Sequence, residues 1–188
     1  KQSFAPISIN NLDLDVVSNV KILGVTITDT LQWNNHVTEI IKKANKRLYF
    51  IKLLKRASVP QMDILNFYCT CIRPVLEYCA PVFHHSLPAY LSDDIERIQK
   101  RALSIINPHA SYQEILSHFN LSILKDRRSS LCEKLLNSVM LDSSHKLSQF
   151  LPKQNVNKYN LRRPRHFQPF KARTNRFRNS FFPAMANF

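Results

Sequence analysis

The sequence predicts a mainly α fold: a helical, thumb-like bundle with a small N-terminal antiparallel β element and a basic, irregular C-terminal tail. Three observations carry this. Apolar residues recur at helical spacing from about Asn35 to Val139. Strand-like alternation is confined to the residues before Asp29. After Asp142 acidic residues stop, while Lys, Arg and Phe continue through a stretch punctuated by Pro164, Pro169 and Pro183. The expected division is 1–33 for the β element, 34–152 for the bundle and 153–188 for the tail.

In chain order, Ile7 to Ile9 reads as a short strand, with Asn10-Asn11 as the turn into a second one in which Leu12, Leu14 and Val16 alternate with Asp13 and Asp15. Val20 and Ile22, then Val25 and Ile27, read as one apolar strand interrupted by Gly24, the only glycine of the chain. A glycine inside a strand marks a bulge or a close backbone approach. Asp29-Thr30 turns the chain, Leu31 and Trp33 anchor the next element, and Asn34 or Asn35 is expected to cap it as a helix running to Arg56. Val37, Ile40, Ile41, Ala44, Leu48, Ile51 and Leu54 form its apolar stripe, with Lys42, Lys43, Lys46 and Arg47 on the other side.

Ser58 and Gln61 match a capping box for the next helix, with Pro60 in its first turn. That helix is apolar nearly all round, which predicts a central, covered position; Pro74 and Pro81 should kink or break it, and Arg73 and Glu77 are spaced to pair across the kink. Asp93 and Glu96 suggest the start of a helix ending at Asn107-Pro108, with Arg97, Lys100 and Arg101 outward. Tyr90-Leu91-Ser92-Asp93-Asp94 imitates an aromatic-x-Asp-Asp metal box, but aspartates opening a helix complement its positive end, so no metal role is assigned. Ser111-Tyr112-Gln113-Glu114 is a full capping box for a short helix, and Ser122 is expected to cap the last long one, which carries Arg127 and Arg128 on its first turns. A shorter segment from His145 ends at Pro152.

Composition narrows the function. Lys and Arg number 27 against 13 Asp and Glu, a net charge of +14, which favours a polyanionic partner. No apolar run is long enough to span a bilayer, so no membrane partner is expected. Cys69, Cys71, Cys79 and Cys132 lack metal-ligand spacing and read as free thiols of a reducing compartment; His84-His85 reads as a helix end. The chain opens on Lys1, and its first methionine is Met62, so it reads as part of a longer protein.

Between Val37 and Arg56 only Glu39 is acidic, so the cationic face suits phosphates better than mere solvation does. In the tail, Arg162, Arg163, Arg165, Arg173, Arg176 and Arg178 interleave with aromatics, a composition suited to single strands, whose phosphates meet cations while bases stack. Arg162-Arg163-Pro164-Arg165 also passes as a weak nuclear-import patch, placing the chain in nucleus and cytoplasm. The candidate binders of nucleic acid are these arginines with Lys42, Lys43, Lys46, Arg47, Lys100 and Arg101. No catalytic or metal-ligating residue is assigned. A helical bundle that binds proteins, its charge serving solubility, is the competing class.

The order Leu23-Gly24-Val25, Leu31, Trp33, His36 resembles the end of the reverse transcriptase domain of jockey-like non-LTR retrotransposons. The resemblance continues through Cys71-Ile72-Arg73-Pro74-Val75-Leu76-Glu77-Tyr78, Ala80-Pro81-Val82, Ile98-Gln99-Lys100-Arg101-Ala102-Leu103, Tyr159-Asn160-Leu161-Arg162 and Arg176-Phe177-Arg178-Asn179-Ser180. Phe83 stands where Trp is common, and Ser104 where Arg is common. The resemblance implies the primer-grip, thumb and tail of an RNA-directed DNA polymerase of a mobile element, with Lys21 and the Gly24 backbone at a primer-grip hairpin. It implies RNA and DNA as partners, as primer–template duplex and as single strands, together with palm and fingers of the same polypeptide. The catalytic carboxylates and their Mg would belong to that palm, so the chain alone is expected to hold no cofactor and to be inactive. A non-enzymatic helical nucleic-acid-binding module derived from such an element is the alternative.

Overall fold

A computed structural model describes residues 7–153, 167–168 and 170–186. The fold is mainly α with small antiparallel sheets at the N-terminus, as the sequence predicts. Strands β1 (Ser8–Ile9) and β2 (Leu12–Asp13) pair across Asn10-Asn11, both at positive φ (52° and 61°), as the turn reading expected. The second strand is shorter than its alternation suggested, and every residue of this hairpin is exposed.

The Gly24 region corrects the sequence reading. Val20 to Ile27 is not one bulged strand. It is a hairpin of β3 (Asn19–Ile22) and β4 (Val25–Thr28), with Ile22 paired to Val25. Leu23 and Gly24 are the two loop residues, at φ 47° and 83°; positive φ at both makes a type I′ turn, which matches the twist of the flanking strands. The glycine is there because the second turn position is left-handed. Only β4 turns inward, burying Val25 and Thr26 against α1 (Asn34–Arg56).

Helix α1 buries Val37, Ile40, Ala44, Leu48 and Ile51, the stripe expected, plus His36. Neither Asn34 nor Asn35 caps it: Trp33 occupies the cap position without a side-chain bond, and the Asn34 amide instead donates to the Tyr90 hydroxyl at 2.7 Å. Trp33, His36 and Phe83 form an aromatic cluster, with His36 and Phe83 ring centroids 5.2 Å apart. His36 Nδ1 accepts the Thr26 backbone N–H at 3.4 Å, which ties the start of α1 to β4. Burial holds the His36 imidazole below its ordinary pKa. Ser58 is not a cap for the next helix. It sits at φ 55° just past α1, where Val59 N–H bonds Leu54 O and Ser58 N–H bonds Lys55 O, a Schellman ending.

Helix α2 (Gln61–Phe67) starts after an extended Pro60 and runs into a π-helical turn, Tyr68–Ile72, and then α3 (Arg73–Glu77). Its buried positions Ile64, Tyr68, Ile72, Leu76 and Ala80 are four apart. At 3.6 residues per turn each such step drifts by about 40°. The wider i→i+5 turn takes up part of that drift and keeps the residues on one side. Pro74 falls in the first turn of α3, where its missing N–H disrupts least. The Thr70 hydroxyl back-bonds to Asn66 O at 2.7 Å, and Arg47 of α1 donates to Cys71 O. The break expected at Pro81 falls at Cys79 (φ 55°), before α4 (Ala80–Phe83) and a 3-10 turn at His84–Ser86.

Helix α5 (Ala89–Ile106) packs along α1 and begins a turn earlier than the Asp93–Glu96 start expected. Glu96 therefore lies inside the helix. Its carboxylate accepts the Leu124 backbone N–H at 2.9 Å, so it caps α7 (Leu124–Leu141) from a neighbouring helix; Ser122 does not. The expected capping box does open α6 (Tyr112–His118), with both Ser111 and Glu114 bonds made. Glu77 pairs with Arg127 of α7, Nε–Oε1 2.5 Å, and not with Arg73. Arg128, expected on an outer turn, is fully buried, donating to Ser92 Oγ at 2.7 Å. In the described part of the tail, α8 (Asn175–Arg178) is capped by Thr174, and α9 (Phe181–Met185) packs on α7 and the 84–86 turn. Pro183 lies in the first turn of α9.

Candidate nucleic-acid interface

The cations expected on one face of α1 are distributed by the packing around it. Lys46 is exposed between two concave surfaces. On one side Lys43 and Arg47 line a groove of about 320 Å³ with Ile40, Pro74, Val75, Tyr78 and the Leu23-Gly24 turn. The Tyr78 hydroxyl donates to Leu23 O at 2.8 Å, and its ring lies 3.5 Å from where a Gly24 Cβ would sit. On the other side Lys42 lines a groove of about 440 Å³ between α1 and α5, facing Arg97 and Arg101. Thr38 and Asn45 add a hydroxyl and an amide, while Asp94 pairs with Arg97 at 2.9 Å.

The structure thus brings Lys42 and Arg101 together, joins Lys43 to the Gly24 turn, and separates the two sets by the width of the helix. Arg47 has a structural task as well, because its guanidinium bonds the π turn. Lys21 is not isolated: its Nζ is 2.8 Å from Glu39 Oε2, which holds that carboxyl below its usual pKa. Lys100 stands 5.4 Å from the centroid of the Tyr112 ring, outside both grooves. Arg173, Arg176 and Arg178 are exposed around α8, with Arg176 in a further groove beside Trp33. Arg162, Arg163 and Arg165 lie outside the described residues.

Two features escaped the sequence reading. Arg97 completes the Lys42–Arg101 cluster, which its placement on the outward side of α5 hinted at. Phe50 and Tyr49 are half-exposed on the basic side of α1, in ring contact at 5.9 Å, and Phe50 touches Phe67 at 6.4 Å. Lys46 and Lys52 flank them in sequence, and an aromatic on an exposed, basic helix face was the available signal. Among the described residues no His, Cys, Asp and Glu side chains group as metal ligands, and no helix is long and apolar enough to cross a membrane.

Fold and surface together define a helical scaffold with cation-lined grooves. Residues 33–73, which hold Trp33, α1, α2 and the π turn, match the family model described as alkylated DNA repair protein alkB homolog 8, N-terminal. The match covers well under half of the chain, so it is a local similarity. No curated protein and no solved structure matches significantly. The family match overturns the resemblance to a non-LTR retrotransposon reverse transcriptase, and with it the thumb, mobile-element and RNA-directed DNA polymerase readings. The residues that carried the resemblance have local explanations. Leu23-Gly24 is a tight turn held by Tyr78, and Trp33 and His36 with Phe83 dock α1 on β4.

Proposed function

We propose that the chain is a non-enzymatic helical module that binds nucleic acid through its phosphates. The observation that carries this reading is the single-signed outer surface of α1, where no acid follows Glu39, continued across a groove by Arg97 and Arg101. A surface that only needed solvation mixes signs, whereas a phosphate-tracking surface does not. The local match to a family named for alkylated DNA repair agrees with a nucleic-acid setting. Phosphates carry no base identity, so this surface sets affinity and orientation, and not sequence choice.

The test is a salt titration of binding to two unrelated duplexes, comparing wild type with Lys42, Lys43 and Lys46 all changed to Gln. Arg47 is left in place because it holds the Cys71 carbonyl. Each lost phosphate contact flattens log K against log salt by about 0.9, so the expected change is about 2 to 3, similar on both duplexes. An unchanged slope in a variant with native circular dichroism would refute phosphate binding by this face and favour the protein-binding bundle.

A further inference from the structure

A third groove, of about 380 Å³, joins two stretches more than a hundred residues apart, Leu31–Asn34 and Asn175–Asn179, with Ser86, Pro88 and Tyr90 between them. Its walls are fixed. The Trp33 indole N–H donates to Ser86 Oγ at 2.7 Å, and the Asn34 amide holds the Tyr90 hydroxyl at 2.7 Å. The Tyr90 ring is 54% exposed, while Trp33 is 8% exposed, so Tyr90 presents the open aromatic surface and Trp33 an edge. Around these rings stand the amides of Gln32, Asn175 and Asn179 and the guanidinium of Arg176, whose side chains make no hydrogen bond or ion pair among the described residues.

We infer that this groove is a binding site for a single nucleotide, the base against Tyr90 and the phosphate on Arg176. Amides supply paired donors and acceptors, the pattern that Asn and Gln use on base edges. A guanidinium matches phosphate with two parallel donors. An exposed ring offers a base a stacking surface without regard to its identity. The volume lies at the small end of the range of roughly 300–1,000 Å³ typical of ligand pockets, which suits one unstacked nucleotide and no duplex. The inference deepens the nucleic-acid reading and rests on it: the α1 surface would track the backbone while this groove holds one base drawn out of a strand.

Trp33 is the only tryptophan of the chain, so its emission reports on this groove alone. The full chain is titrated with AMP, CMP and inorganic phosphate, with excitation at the red edge of tryptophan absorption, where nucleotides do not absorb. The expected result is a saturable change with the nucleotides and none with phosphate, with affinity about tenfold weaker in Arg176→Ala and in Asn179→Ala, each an exposed position. No change with either nucleotide overturns the inference. So does an equal response to phosphate, which would mark an anion site only, or unweakened binding in both variants with native circular dichroism. The two readings fail separately: the groove is read by Trp33 emission with mononucleotides, the phosphate face by the salt slope on duplexes.

Discussion

Gln99 is the hub of a buried polar network, and removing it should cost more than any one of its bonds. The side chain is 1% exposed. Its Oε1 accepts from the fully buried Tyr68 hydroxyl at 2.6 Å; its Nε2 donates to Tyr112 Oη at 2.8 Å and to Ser122 O at 3.1 Å. The Tyr112 hydroxyl in turn donates to Glu96, which caps α7, so one amide connects the π turn, α5, α6 and the start of α7. In Gln99→Leu the Tyr112 hydroxyl keeps Glu96 and the exposed Ser122 carbonyl finds water. The Tyr68 hydroxyl finds nothing. A stranded buried donor costs about 1–3 kcal/mol and each lost bond about 1 kcal/mol, so a loss of about 2–4 kcal/mol is expected. For a chain of this length that lowers Tm by about 5–12 °C. Tyr68→Phe alone should cost about 1–2 kcal/mol, because it strands the amide oxygen. The double variant removes both orphaned groups and should fall short of the sum by about 1–2 kcal/mol. Urea unfolding followed by circular dichroism measures all four corners of this cycle. Costs that add to within about 0.5 kcal/mol would refute the network as the cause.

His84 predicts a pH dependence. Burial, with His85, Arg128 and Lys125 as cationic neighbours, pushes its pKa from 6.5 down to about 4. The unfolded chain takes up this proton near pH 6.5 and the folded chain only near 4, so the contribution is complete above pH 6.5 and is lost as pH falls toward 4. With the partial exposure of the ring discounted, about 1–2 kcal/mol is at stake. His84→Gln should narrow the stability difference between pH 7 and pH 5 by about 1 kcal/mol in urea melts, and an unchanged difference would remove His84 as its source. At the β3–β4 turn, Leu23→Asn should stabilise by about 0.5–1 kcal/mol, since Asn tolerates left-handed φ and Asn-Gly favours this turn. Gly24→Ala should destabilise by about 1 kcal/mol through φ alone, because the added methyl meets Tyr78 at an ordinary distance. Thermal melts of the two variants should move in opposite directions.

The features legible in the sequence were local or periodic. The α1 stripe and the Ser111–Glu114 box stood out because each depends on residues within one or two turns. The failures were long-range or conformational. Glu77 has two arginines in prospect, and only packing brings Arg127, fifty positions on, within reach in place of Arg73. Glu96 looks like a cap for its own helix and serves another. Gly24 and Ser58 were given ordinary roles because left-handed backbone does not announce itself beside apolar residues. Of the candidate site, the basic character of α1 was readable, but not its division into two grooves, which is set by the elements packed on either side of Lys46. The meeting of Trp33 with Asn179 depends on α9 docking against α7, and nothing in either stretch foreshadows it.

The π turn at Tyr68–Ile72 fixes how the chain beyond it is phased. It amounts to one surplus residue in an otherwise continuous helical path. Deleting one residue there would restore ordinary winding, and it would also rotate everything downstream by about 100°. Leu76, fully buried, would swing away from α1, and Arg47 would lose the carbonyl it holds. Substitutions between Phe67 and Arg73 that keep the buried positions apolar are therefore tolerable in a way that a change of length is not. In this stretch side-chain identity is free to vary where the number of residues is not.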